Sequence, residues 1–128
     1  MKITKTTPIL CVQSIEESLP FWTKTLGYKK TVEVPHRDKI GFVILHKDGS
    51  EIMLQTHLSM IDDLPEVAQH VSVGAMYLYS DVDSIEGAIA ALRHTKPLVP
   101  LRTTPYGARE IFVRDADGNV MGFAEHTK

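Results

Sequence analysis

The sequence predicts an α+β fold, with two βαβββ modules in one domain forming a sheet-lined cup and the helices on the outside. Two observations carry that prediction. The chain echoes itself: Val12-Gln13-Ser14-Ile15-Glu16 returns as Val82-Asp83-Ser84-Ile85-Glu86 at an offset of 70, and Asp48-Gly49 returns as Asp117-Gly118 at an offset of 69. Each half also runs in the same order, one strand-like run, one helix-like run, then three strand-like runs. The period is too long for a solenoid unit and suits two similar half-domains. One helix against mostly antiparallel strands is the α+β arrangement. We therefore expect a single domain over residues 1–128, with module one at about 5–56, a connector at about 57–72 and module two at about 73–126.

The elements follow in order. Residues 8–12 read as a strand. Ser14 and Glu17 form an S-x-x-E capping box before Ile15, Leu19, Trp22 and Leu26, which recur at helical spacing, and Gly27 suits the C′ position. Pro20 lacks a backbone donor and crowds the Glu16 carbonyl, so a kink is expected there. Strand-like runs follow at 30–34, 40–45 and 51–55. The connector is polar, with a short helix predicted over 64–68 and Pro65 in its first turn. In the second half, residues 75–79 read as a strand. Asp83 or Ser84 then caps a helix bearing Ile85, Ala88, Ile89 and Leu92, and strands are expected at 97–101, 109–113 and 120–124.

Composition narrows the function classes. The 128 residues carry a net charge of −2, are 43% hydrophobic and include one cysteine. An intrachain disulfide and a cysteine-only zinc site are excluded. The balanced charge gives no electrostatic reason to expect nucleic acid or an anionic membrane as partner. The first eight residues lack an apolar signal core and no long apolar run exists, so a cytoplasmic protein is expected. The six histidines form no H-x-H or H-x-x-x-H pair. Cys11, mid-strand, reads as a small buried hydrophobe.

Residues 18–28, SLPFWTKTLGY, and residues 106–119, YGAREIFVRDADGN, resemble two stretches of the vicinal oxygen chelate superfamily. That superfamily includes glyoxalase I, extradiol dioxygenases and bleomycin-resistance proteins, and the likeness is nearest to the bleomycin-resistance branch. The departure is Ala116, where an Asp-Pro is usual. The resemblance implies paired βαβββ modules, usually in a dimer. It also implies that metal-dependent members ligate a divalent ion with His, Gln or Glu from the first and last strand of each module. Here those positions fall on Thr7, Met53, Ala75 (or Tyr77 if the register slips by two) and Gly122. They supply too few donors for a hard or borderline cation. We therefore expect no metal, no cofactor and no Lewis-acid chemistry, and read the chain as a binder in preference to an enzyme.

Alternation predicts inward-facing sets of Thr7, Ile9 and Cys11; Glu51, Met53 and Gln55; Ala75, Tyr77 and Tyr79; and Val120, Gly122 and Ala124. The small residues leave room, while Met53 and the tyrosines offer adaptable and aromatic walls. Tyr106-Gly107 stands where the resemblance places a drug-contacting aromatic–glycine loop. The candidate ligand-binding residues are thus Glu51, Met53, Gln55, Tyr77, Tyr79, Tyr106 and Gly122. Arg109, Glu110 and Arg114 read as surface or interface pairs. Pro8 opens the first strand, and the resemblance implies a hinge there for an N-terminal arm exchanged within a homodimer. The leading function is metal-independent sequestration of an aromatic or apolar small molecule. One alternative is a metal-dependent lyase, isomerase or dioxygenase using Glu51, Gln55, Tyr77 and a histidine. The other is a non-catalytic dimeric interaction protein.

Overall fold

The computed structural model describes residues 1–127, which divide into two compact units, Met1–Gly74 and a second from Ala75 onward. Each unit has the βαβββ order, so the α+β class read from the repeat is the one observed.

In the first unit the strands are β1 (Ile9–Val12), β2 (Lys29–His36), β3 (Lys39–Lys47) and β4 (Ser50–Thr56), in spatial order β1-β4-β3-β2. Only β1 and β4 pair in parallel. Helix α1 (Ile15–Pro20) lies over β3 and β4. The Ser14 hydroxyl accepts the Glu17 N–H at 3.2 Å, the predicted cap. Leu10, Val12, Val43, Leu45, Ile52 and Leu54 are buried together with Ile15 and Trp22. Each such side chain contributes about 1.5–3 kcal/mol on leaving water.

The expected single kinked helix is instead two pieces. Helix α1 ends at Pro20 and a π-helical turn follows over Phe21–Thr25, with the Leu26 N–H reaching the Phe21 carbonyl at 3.0 Å. Pro20 cannot donate to Glu16, and the helix changes to the wider turn immediately after it. Gly27, at φ +82°, then stops it.

The connector holds one helix more than predicted. Helix α2 (His57–Asp63) starts on Thr56, whose hydroxyl accepts the Ser59 N–H at 3.1 Å, and α3 (Pro65–Ala68) follows with Pro65 in its first turn. Met60 and Ala68 form a small core with buried Cys11, joined by Val71 and Val73. Cys11 is thus the packed hydrophobe expected.

In the second unit the strands are β5 (Tyr77–Asp81), β6 (Val99–Thr103), β7 (Ala108–Arg114) and β8 (Val120–His126), in order β5-β8-β7-β6, with β5 and β8 parallel. Helix α4 (Ile85–Ala91) is capped by Ser84, not Asp83, through the Gly87 N–H at 3.1 Å. Ile85 and Leu92 are buried with Ile111, Val113, Met121 and Phe123, whereas Ile89, expected in that stripe, is exposed. Two strands start two residues later than predicted: β5 at Tyr77 and β6 at Val99. The D-A-D-G-N stretch is a turn built on side chains. Asp115 accepts the backbone N–H groups of Asp117 and Asn119 and the Asn119 side-chain amide, while Asn119 Oδ1 accepts the Met76 N–H at 3.0 Å. No bond runs through residue 116, so alanine serves there as well as proline. Among the described residues no helix is long and apolar enough to cross a membrane.

Candidate functional site

Strand register decides what the second sheet presents on the face opposite its buried Ile111, Val113, Met121 and Phe123. Tyr79, Gly122 and Phe112 form one row across β5, β8 and β7, and Asp81, Ala124, Glu110 and Arg102 form the next across all four strands. Parity adds Tyr77 at one end and His126 at the other.

Glu110 is the centre of this face. Its side chain is 1% exposed, yet it is fully engaged. Arg102, its cross-strand neighbour, donates to Oε1 through Nε at 3.0 Å and Nη2 at 2.8 Å. The Tyr106 hydroxyl donates to Oε2 at 3.1 Å, and the Tyr79 hydroxyl donates a short hydrogen bond to the same oxygen. Tyr79 reaches Glu110 from β5 only because it crosses over β8 where the side chains are smallest. A Cβ on Gly122 would stand 2.7 Å from the Phe112 ring and 3.2 Å from the Tyr79 ring. The gap at Gly122, expected to give a ligand room, is therefore filled by those two rings.

The rest of the face is aromatic. Tyr77 and Phe112 lie with centroids 6.3 Å apart, Tyr106 stacks on the His126 ring at 6.5 Å, and the Arg102 guanidinium sits 5.9 Å from the Phe112 centroid. Tyr77 and Tyr106 are 62% and 64% exposed. His126 Nε2 contacts the Asp81 carboxylate at 3.1 Å and the Tyr79 hydroxyl at 3.3 Å. The result is a chain of polar contacts from Asp81 through His126 and Tyr79 to Glu110, edged by rings.

These bonds set the electrostatics. The Tyr79 hydroxyl, followed by Arg102 and Tyr106, holds the Glu110 carboxyl below its usual range despite desolvation. The same bond, with burial, pushes the Tyr79 phenol above its usual range. Glu110 is a weak base and Tyr79 a weak acid at neutral pH. Neither of these two groups is disposed to exchange a proton near neutral pH.

In the first unit the residues expected to bind ligand make the following contacts. Glu51, at the start of β4, accepts from Thr7 at 2.8 Å and pairs with Lys5 at 2.8 Å and His46 at 3.1 Å. Lys5 first, then Thr7, holds its carboxyl below the usual range. Met53 is half-buried between Ile9 and Ile44 in the ladder. The Gln55 amide donates to Ser59 of α2 at 3.3 Å. The Pro8 carbonyl accepts the Met53 N–H at 3.0 Å, so the chain joins the ladder from Pro8.

Register also settles which residue of the second half corresponds to Thr7. Ile9 pairs with Met53 and Tyr79 pairs with Gly122, so Tyr77 is the counterpart and Ala75 lies before the strand. Thr7, Met53, Tyr77 and Gly122 do not fit a divalent ion, and among the described residues no three His, Cys, Asp or Glu side chains are grouped to hold one.

Residues 2–123 match the profile of the Glyoxalase/Bleomycin resistance protein/Dioxygenase superfamily. The chain belongs to that superfamily. Its fold is shared by a glyoxalase/bleomycin resistance protein/dioxygenase from Nocardioides (20% identity, 100% of this chain and 86% of that one, TM-score 0.78). It is shared equally by TnmS3, an antibiotic binding protein from Streptomyces sp. CB03234 (21% identity, 99% of this chain and 99% of that one, TM-score 0.74). Lactoylglutathione lyase from Agrobacterium tumefaciens is also similar (15% identity, 98% of this chain and 95% of that one, TM-score 0.76). No curated protein sequence matches the chain. Binders and enzymes thus share this superfamily fold, and the side chains must decide between them.

The sequence reading missed Arg102, Glu110, Phe112 and His126. Glu110 was grouped with Arg109 and Arg114 as a surface residue, which its burial corrects; Arg109 does make the surface pairs expected, with Glu86 and Glu125, both at 3.1 Å. Alternation along β7 puts Glu110 and Phe112 on the face opposite Arg109, and that signal was available. The Arg102 partnership was not, because a register shift in β6 between Val99 and Arg102 sets it.

Proposed function

We propose that this superfamily member binds a planar, partly apolar small molecule and acts by sequestration, without a metal and without bond chemistry. The observation that carries this reading is the exposed aromatic set, Tyr79 and Tyr106 on a carboxylate whose acceptors are already taken and Tyr77 beside Phe112. Aromatic rings supply large contact area at low entropic cost, and the saturated Glu110 has no free acceptor with which to act as a general base. That an antibiotic binding protein shares the fold supports the same reading. The donor-poor positions Thr7, Met53, Tyr77 and Gly122 support metal independence. A cytoplasmic homodimer in which Pro8 hinges an N-terminal arm fits this mode of action, and the balanced charge of −2 favours neither nucleic acid nor membrane as partner.

Thermal-shift screening of a planar aromatic library, with and without EDTA, tests the proposal. Ligand at ~100 times Kd adds about 2.7 kcal/mol of stability, and the expected shift is the same in both conditions. Loss of every shift in EDTA, or no shift from any compound, sinks it.

A further inference from the structure

We infer that the ligand of this face is an aromatic acid, a flat ring system bearing a carboxylate or an equally anionic group, with Arg102 as the residue that selects it. The inference rests on the binding reading above and adds the charge of the ligand. Both Glu110 oxygens are in use, Oε1 by Arg102 and Oε2 by the two phenols, so a cationic ligand finds no open acceptor at the centre of the face. Asp81 lies at the margin and is paired with His126.

Arg102 is in the opposite position. Its bonds to Glu110 run through Nε and Nη2 and converge on a single oxygen; Nη1 takes no part in them. The Tyr106 hydroxyl also stands beside the guanidinium. The side chain is 51% exposed, although its anchor is buried. A guanidinium held this way is pre-oriented: Nε and Nη2 are spent on Glu110, Cζ sits 5.9 Å from the Phe112 centroid, and Nη1 is left over on a half-exposed side chain. Arginine in such a setting recognises planar anions through a paired donor edge while stacking on π-systems. Tyr106 stands beside it and Tyr77 lies further along the face against Phe112, and both exposed rings offer surface on which an aromatic body rests. The phenol hydroxyls of Tyr79 and Tyr106 donate inward, so neither proton is available to a ligand, and the outward donor is Arg102 itself.

The test compares three probes with one ring system: 2-naphthoate, 2-naphthamide and protonated 2-naphthylmethylamine, titrated into the full chain by calorimetry at pH 7. The expected order is acid, amide, ammonium, with the acid bound about tenfold or more tightly than the amide. Arg102→Gln brings the acid to within about twofold of the amide. Should that variant lose its fold, Arg102→Gln with Glu110→Gln removes both charges and gives the same comparison. Equal affinity for all three probes, or preference for the ammonium, overturns the acid assignment and leaves aromatic binding standing. An acid preference that survives loss of Arg102 overturns the role given to that residue. Binding of none of the three overturns the acid inference and the aromatic-binding reading together.

Discussion

The two modules share a scaffold and differ in what they show on its open face. Their helix-side layers correspond, Ile15 with Ile85, Trp22 with Leu92, Leu54 with Phe123 and Leu45 with Val113, and all eight are buried. On the opposite face, the ladder positions held by Ile9, Met53, Ile44, Phe42 and Val34 in the first unit are held by Tyr79, Gly122, Phe112, Glu110 and Arg102 in the second. Five apolar side chains are thus matched by two aromatics, a glycine and an ion pair. Packing against a helix admits only apolar groups of fitting volume, so it holds the two layers alike. An open face carries no such demand and is free to diverge. The lesson is that the Glu110–Arg102 cluster is an elaboration of the second module, as the Glu51 cluster is of the first, and neither is a requirement of the fold.

Four experiments sharpen or break that contrast, from the largest expected effect to the smallest. Trp22→Ala should cost about 3–5 kcal/mol and Leu92→Ala about 2–4, both read from urea midpoints; a negligible loss at either site would show that the two helix layers are not equivalent. Glu110→Ala strands two phenols and a guanidinium and should cost about 2 kcal/mol. Glu110→Gln should flatten the acid limb of stability. The native carboxyl titrates below its usual 4.5, so its contribution is complete above that pH and is lost as pH falls through the lowered folded value. An unchanged acid limb in Glu110→Gln would remove the ion pair from the stability of the second module. Gly122→Ala forces the Phe112 and Tyr79 rings apart and should cost about 1–3 kcal/mol, whereas Met53→Ala at the matching position should cost less, since Met53 is only half-buried. Equal costs would mean the rings do not rest on Gly122. Finally, Tyr79→Ile, Glu110→Phe and Arg102→Val together give the second module the first module's residues at three of the five matched positions. Stability should change by less than about 1 kcal/mol, because an apolar set of similar volume replaces a buried pair at little cost, while binding of aromatic probes disappears. Retained binding would place the ligand elsewhere.

Much of the fold was legible in the residues. Ser14 and Ser84 announce their helices because a hydroxyl before an apolar stripe satisfies orphan N–H groups, a rule local to four residues. Helix α2 was not legible: its cap is Thr56, the last residue of a strand, and its inward side chain Met60 has a reason to fold only once Cys11 and Ala68 are beside it. The candidate site was half legible. Tyr77, Tyr79 and Tyr106 follow from alternation and resemblance, but a glycine at 122 reads as open space in the sequence and is the floor under two rings in the fold. The carboxylate at the centre reads from sequence as a member of a surface or interface pair because charged residues in strands are mostly exposed.

What the sequence by itself determined is the repeated βαβββ order, its helix caps, its buried stripes and its superfamily, since each depends on groups a few residues apart or on the period of hydrophobicity. What only the tertiary structure decided is that Arg102, Tyr79 and Tyr106 meet on Glu110. They come from two strands and a loop separated along the chain, and a shift of register in β6 selects which of its residues faces the carboxylate. Burying that charge is tolerable only when all the donors arrive together, and no local rule of sequence can say that they do.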